Sequence, residues 1–184
     1  MKSRANDPRR LDVEAVAREG ATLEGTWPLG VLKRLAACAH PDATPAAQAG
    51  VRWQGRGELR AVRGDAPQVW LHLEAQTSLA LVCQRCLGPV PTELHARRSY
   101  LFVPGEEAAA ALDADAEDDV LALTRALDLE ELVEDELLLS MPLVPRHDVC
   151  PQPLPSAVAD PGADATPEHP FAVLAALKRP GQPN

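Results

Sequence analysis

The chain has 184 residues, 46% hydrophobic and 24% charged, which is enough for one ordinary domain with a real core and too little for two catalytic domains. Its 18 prolines and 3% aromatic content point to a folded body plus a stretch outside the core. The net charge of -9 is uneven: residues 1–104 hold 14 Lys and Arg against 10 Asp and Glu, whereas 105–184 hold 4 against 17, so one mildly basic face is left open to nucleic acid. The opening MKSRANDPRR lacks the apolar stretch of a secretory signal, and no run approaches the ~18 apolar residues of a spanning helix. A cytoplasmic protein is therefore expected, its four cysteines serving as thiols or metal ligands rather than as a disulfide framework.

Asp7-Pro8 offers an N-cap and a first-turn proline for a helix through Leu11, Ala15 and Val16 to Gly20. Leu29, Leu32, Leu35, Ala36 and Ala39 predict a second helix between Pro28 and Pro41, completing a helical lead-in over 8–40. From 50 the period becomes two, with Val51, Trp53, Leu59 and Ala61 facing one way and Arg52, Gln54, Arg56, Glu58 and Arg60 the other, and Gly55 and Gly57 marking a bulge or bend. After Gly64-Asp65-Ala66-Pro67 a long strand puts Val69, Leu71, Leu73, Ala75, Leu79 and Leu81 on one face. A third strand, over 90–103, turns Val90, Leu94, Ala96, Tyr100 and Phe102 inward and Glu93, His95, Arg97 and Ser99 outward. The short connections predict an antiparallel meander over 50–104 with one wet face.

Residues 105–119 are acidic and alanine-rich and read as a solvated loop or a frayed helix. Asp128 with Glu131 resembles a capping box and opens a helix over 128–141, with Leu129, Leu132, Val133, Leu137 and Ser140 at helical spacing. Its acids Glu130, Glu131, Glu134 and Asp135 read as a solvated face, and Glu136, beside the apolar stripe, as a hydrogen-bonded structural carboxylate. The fold class predicted is α+β: one domain over 1–150, a long antiparallel meander flanked by helices, followed over 151–184 by a disordered acidic, proline-rich tail. The tail ends in a short helix whose stripe of Phe171, Leu174 and Leu177 suits docking to a partner.

The sharpest local motif is Cys83-Gln84-Arg85-Cys86, a CxxC at a hairpin turn, where two thiolates converge on one ion at ~2.3 Å. His147 and Cys150, in HxxC spacing after the last helix, offer two further ligands, and a zinc ion held by all four would pin the two segments together. The same spacing is open to a pair of reduced structural thiols. A redox dithiol is the remaining reading, although a thioredoxin-like CxxC needs a helix N-terminus in a βαβ setting. Cys38 reads as a small buried hydrophobe. There is no phosphate-binding glycine loop, no GxSxG and no HExxH, so no enzymatic activity and no small-molecule substrate are expected.

The polar sheet face is the candidate surface for RNA. Arg52, Arg56 and Arg60 share it with His95 and Arg97, so their charges can follow a phosphate backbone across strands, and Arg85 joins the set from the CxxC loop. Trp70, in the outward set of its strand, either stacks on an unpaired base or is buried beneath the first helices.

Three segments taken in order resemble one family. They are Leu81-Val82-Cys83-Gln84-Arg85-Cys86; Val133-Glu134-Asp135-Glu136-Leu137-Leu138-Leu139 leading into Met141-Pro142-Leu143-Val144-Pro145-Arg146-His147; and Pro170-Phe171-Ala172-Val173-Leu174-Ala175-Ala176-Leu177-Lys178. This set is similar to the bacterial YceD proteins, named for large ribosomal RNA subunit accumulation, with plant chloroplast relatives of the same general role. The resemblance implies a non-enzymatic cytosolic factor in the synthesis, processing or stability of 23S rRNA, acting on the rRNA or its precursor directly or through large-subunit assembly factors. It places Cys83 and Cys86 on the family's CxxC and Cys150 in a later, more variable cysteine region, where many relatives carry additional cysteines. It carries over no catalytic residue. The competing reading is a protein adaptor that recruits a nuclease or assembly factor through its C-terminal helix without touching RNA.

Overall fold

A computed structural model of the chain describes residues 7–43 and 50–151. The chain divides into two units, Met1–Cys150 and Pro151–Asn184. The predicted tail, with Phe171, Leu174 and Leu177, lies outside the described residues apart from Pro151. The first unit runs α1 (Val13–Glu19), β1 (Thr22–Trp27), a 3-10 turn (Leu29–Val31), α2 (Lys33–Ala37), β2 (Val51–Arg60), β3 (Gln68–Val82), β4 (Pro89–Val103), α3 (Glu106–Asp113), β5 (Asp119–Ala122) and α4 (Leu129–Leu139). Its single sheet has the order β1-β2-β3-β4-β5, and the class is α+β as the sequence predicts.

The long hairpin follows from uninterrupted period-two patterning. β3 and β4 pair antiparallel from Val69↔Phe102 to Val82↔Pro89, and Leu71, Leu73, Leu79, Leu94, Tyr100 and Phe102 are all buried on the inner face. Each fully buried leucine contributes roughly 1.5–3 kcal/mol relative to exposure. α1 packs on β2 and β3, and α4 on β3 and β4, so both cover the same face.

Several expectations are corrected. α1 is capped by Asp12, whose carboxylate accepts the Ala15 N–H at 3.1 Å, and not by Asp7, which accepts from Arg9 one turn earlier. Leu11 is engaged in a bridge to Leu127, so helical geometry begins only after it. The lead-in is not wholly helical. β1 lies within it and pairs with β2 from Thr22↔Arg56 to Trp27↔Val51. The second predicted helix shrinks to the 3-10 turn and α2.

Gly55 and Gly57 mark no bulge, because the β2–β3 register runs unbroken from Arg52↔Gln76 to Arg60↔Gln68. At Gly57 the α1 backbone crosses the strand, and a Cβ there would sit 2.6 Å from the carbonyl carbon of Val16 and 2.7 Å from the amide nitrogen of Ala17. Leu59, predicted inward, is 42% exposed near the open end of the strand, and Ala61 falls beyond it. The acidic segment forms α3, and the chain then returns as β5, parallel to β4 from Tyr100↔Asp119 to Val103↔Ala122. The sheet is therefore mixed, since α3 supplies the crossover that a parallel strand requires.

α4 begins at its predicted cap, with Asp128 accepting from the amides of Glu130 and Glu131. Its acids are not all solvated. Glu134 is buried and accepts the amides of Arg34 at 2.7 Å and Leu35 at 3.1 Å, which caps α2, whose own N-cap Leu32 has no side-chain acceptor. The Arg34 guanidinium then bridges Glu134 at 2.9 Å and Asp135 at 2.6 Å. Glu136 is the structural carboxylate expected, accepting from the Tyr100 hydroxyl at 2.6 Å and from Arg98 Nε at 3.1 Å. Among the described residues no helix is long and apolar enough to cross a membrane.

Candidate metal centre and nucleic-acid face

The turn joining β3 to β4 carries the CxxC. It closes through Cys83 N–H to the Gly88 carbonyl and Leu87 N–H to the Cys83 carbonyl, both at 2.9 Å. Leu87 takes a left-handed φ of 60° to complete it. After α4 the chain runs back across this turn, and the amide of Gln84 donates to the Pro145 carbonyl at 2.8 Å. That return brings His147 and Cys150 to Cys83 and Cys86, so the four ligand atoms lie within 4.8 Å of one another. The predicted quartet is thus assembled from two segments more than 60 residues apart.

Its dimensions suit a metal. Cys83 Sγ lies 4.0 Å from Cys150 Sγ, and Cys86 Sγ lies 3.4 Å from His147 Nδ1. Tetrahedral ligation at ~2.3 Å to sulfur and ~2.0 Å to nitrogen gives ligand-to-ligand edges of about 3.5–3.8 Å. His147 donates through Nε2 to the Pro89 carbonyl at 3.0 Å, which leaves the Nδ1 lone pair facing Cys86, the second-sphere arrangement that fixes a metal-binding imidazole. Burial opposes ionisation of Cys83, yet the amides of Cys86, Arg85 and His147 outweigh it and hold its thiol down at about 5. At Cys86 the Gly88 amide favours the thiolate, but burial and the nearby sulfurs of Cys150 and Cys83 prevail and push its thiol up. Three sulfur donors and one imidazole can hold a metal ion, and four protein ligands leave no open position for a substrate.

Two further residues complete the surroundings: His40, which the sequence did not single out, and Arg85, which it assigned to the RNA surface. His40, buried, receives the Asp42 amide on Nδ1 at 3.1 Å and so presents Nε2–H to the Leu87 carbonyl at 2.8 Å, tying the segment after α2 to the CxxC turn. Arg85 lies against the returning chain: its Nε donates to Cys150 Sγ at 3.1 Å and its Nη2 to the carbonyls of His147 and Asp148 at 3.1 and 3.2 Å. It is thus apart from the other basic residues singled out for RNA.

Those others share the outward face. Strand register sets His72 opposite Arg56 and Ser99, Glu74 opposite Gln54 and Arg97, and Gln76 opposite Arg52 and His95. Arg52, Arg56, Arg60, His95 and Arg97 are all exposed there. Acids on the same strands engage some of them: Glu58 pairs with Arg60 at 3.2 Å and Arg56 at 3.7 Å, and Glu74 with Arg97 at 3.0 Å. Arg52 and His95 make no ion pair among the described residues. His72 bridges Glu58 Oε2 at 2.8 Å and Ser99 Oγ at 2.9 Å. Trp70 is buried, but by its neighbours rather than by helices. The Arg60 guanidinium lies 4.4 Å over its ring, His72 stacks beside it, and its indole N–H donates to Gln68 at 3.1 Å.

The first unit is thus an α+β body with a soft-donor quartet at one end of its long hairpin and an exposed polar sheet face. A family model described as large ribosomal RNA subunit accumulation protein YceD matches residues 71–178, more than half of the chain. The chain belongs to the YceD family. No solved structure matches it.

Proposed function

We propose that the protein is a non-enzymatic, cytoplasmic factor in the synthesis, processing or stability of 23S rRNA that touches precursor rRNA with the outward sheet face and uses the Cys83, Cys86, His147 and Cys150 quartet as a structural zinc centre. The observation that carries the RNA contact is the gathering of Arg52, Arg56, Arg60, His95 and Arg97 on one exposed face. Glu58 and Glu74 hold three of these guanidinium groups in place, and each keeps further N–H donors for phosphate. The zinc reading is supported by the size of the quartet and by the fixed His147 tautomer. Purified under reducing conditions, the protein should contain about one zinc per chain. In cells lacking it, mature 23S rRNA should fall and precursor accumulate; unchanged 23S levels across growth conditions would contradict the reading.

A second reading, the adaptor, is favoured by the family match running on to Lys178 and so taking in Phe171, Leu174 and Leu177. Truncation after residue 165 separates the two. Loss of a protein partner with RNA retention unchanged would contradict an adaptor that never touches RNA, whereas a parent chain that retains no RNA and loses its partner on truncation would support it.

A further inference from the structure

We infer that Arg85 is a positioning residue of the metal centre, clasping the His147–Cys150 arm onto the CxxC turn, rather than a contact to RNA; this rests on the zinc reading above. Three donors of one guanidinium reach across the turn, Nε to the Cys150 sulfur and Nη2 to the carbonyls of His147 and Asp148, so a single rigid fork touches one ligand and the backbone of another. Besides Arg85, the arm is fixed to the hairpin turn by the Gln84 amide to the Pro145 carbonyl and by His147 to the Pro89 carbonyl.

Charge assigns Arg85 a second task. Three thiolates around a dication leave a net charge of -1, and the Arg85 guanidinium offsets it while donating to the Cys150 sulfur. Lysine has the charge without the fork, and its single nitrogen cannot take the separate places of Nε and Nη2. An arginine so placed has its donors turned toward the centre, unlike Arg52 on the sheet face.

Zinc alone is the probe, titrated against a chromophoric chelator into the full chain and its R85Q and R85K variants, with cobalt(II) spectra of each. R85Q should bind zinc about 10- to 100-fold more weakly, the usual cost of losing an outer-sphere partner. R85K should show an intermediate loss. The sulfur-to-cobalt charge-transfer band should move in R85Q, because Cys150 loses its N–H donor, an effect that a general loss of packing would not produce. Should R85Q fail to fold, R85K decides: zinc affinity equal to that of the unaltered chain overturns the inference. Unchanged zinc affinity in R85Q with weakened RNA retention would also overturn it and return Arg85 to the RNA surface. If the unaltered chain binds no zinc, the zinc reading itself fails, a result distinct from either of these.

Discussion

Tyr100 illustrates how much rests on single buried groups. Its hydroxyl donates to the buried Glu136 carboxylate at 2.6 Å, a charge-assisted bond that Arg98 supports from the other oxygen. Replacing Tyr100 by Phe should cost about 1.5–3 kcal/mol, measured by urea unfolding at neutral pH. Burial, together with the Glu136 charge, pushes the Tyr100 hydroxyl well above its ordinary value. An unfolded tyrosine ionises near 10, so above that pH the unfolded chain gives up a proton that the folded chain keeps. The stability from this group is complete below about pH 10 and is lost as pH rises further. Tyr100→Phe should flatten that decline, and an equal loss of stability between pH 9 and 11 in both proteins would contradict it. Glu136 was legible because it sits beside the apolar stripe of its helix. Glu134 was not: its neighbours Arg34 and Leu35 are 100 and 99 residues away, and no local pattern announces a carboxylate that caps a distant helix. His40 was hidden for the same reason, since its partner is a main-chain carbonyl 47 residues on.

Among the elements, β3, β4 and α4 were readable because each carries its own strong signal, long alternation in the strands and an aspartate cap ahead of a 3.6-period stripe in the helix. β1 was not, since six residues centred on Gly25 give only a brief alternation and their strand identity comes from pairing with β2. β5 is four residues long and depends on the β4 edge in the same way. Gly57 was noticed for the wrong reason. Its role is the close approach of α1, which no single-strand pattern contains. Gly57→Ala should therefore push α1 off β2 and destabilise the fold by about 1–3 kcal/mol, as overpacking of a filled site does. An unfolding midpoint unchanged from that of the parent chain would show that the helix can shift at no cost.

For the whole molecule, the sequence was sufficient to bring Cys83, Cys86, His147 and Cys150 together because ligand spacing is local on each side and the chemistry names the partners. It also placed five basic residues on one face, since alternation alone decides which way a strand residue points. It did not reveal that Glu58 and Glu74 thread among the arginines, or that Arg60 covers Trp70, because both depend on neighbours in adjacent strands. With Trp70 so covered, the face offers guanidinium and imidazole groups rather than an open ring, and contact with RNA should be governed by salt. Filter retention of a 23S precursor transcript, followed from low to high salt, tests this most directly. The account predicts retention that weakens steadily with salt and, on replacing Arg52 by Ala, a log–log slope reduced in magnitude by about 0.7–0.9, the loss of one phosphate contact. No retention at any salt, or a slope that Arg52→Ala leaves untouched, would contradict it.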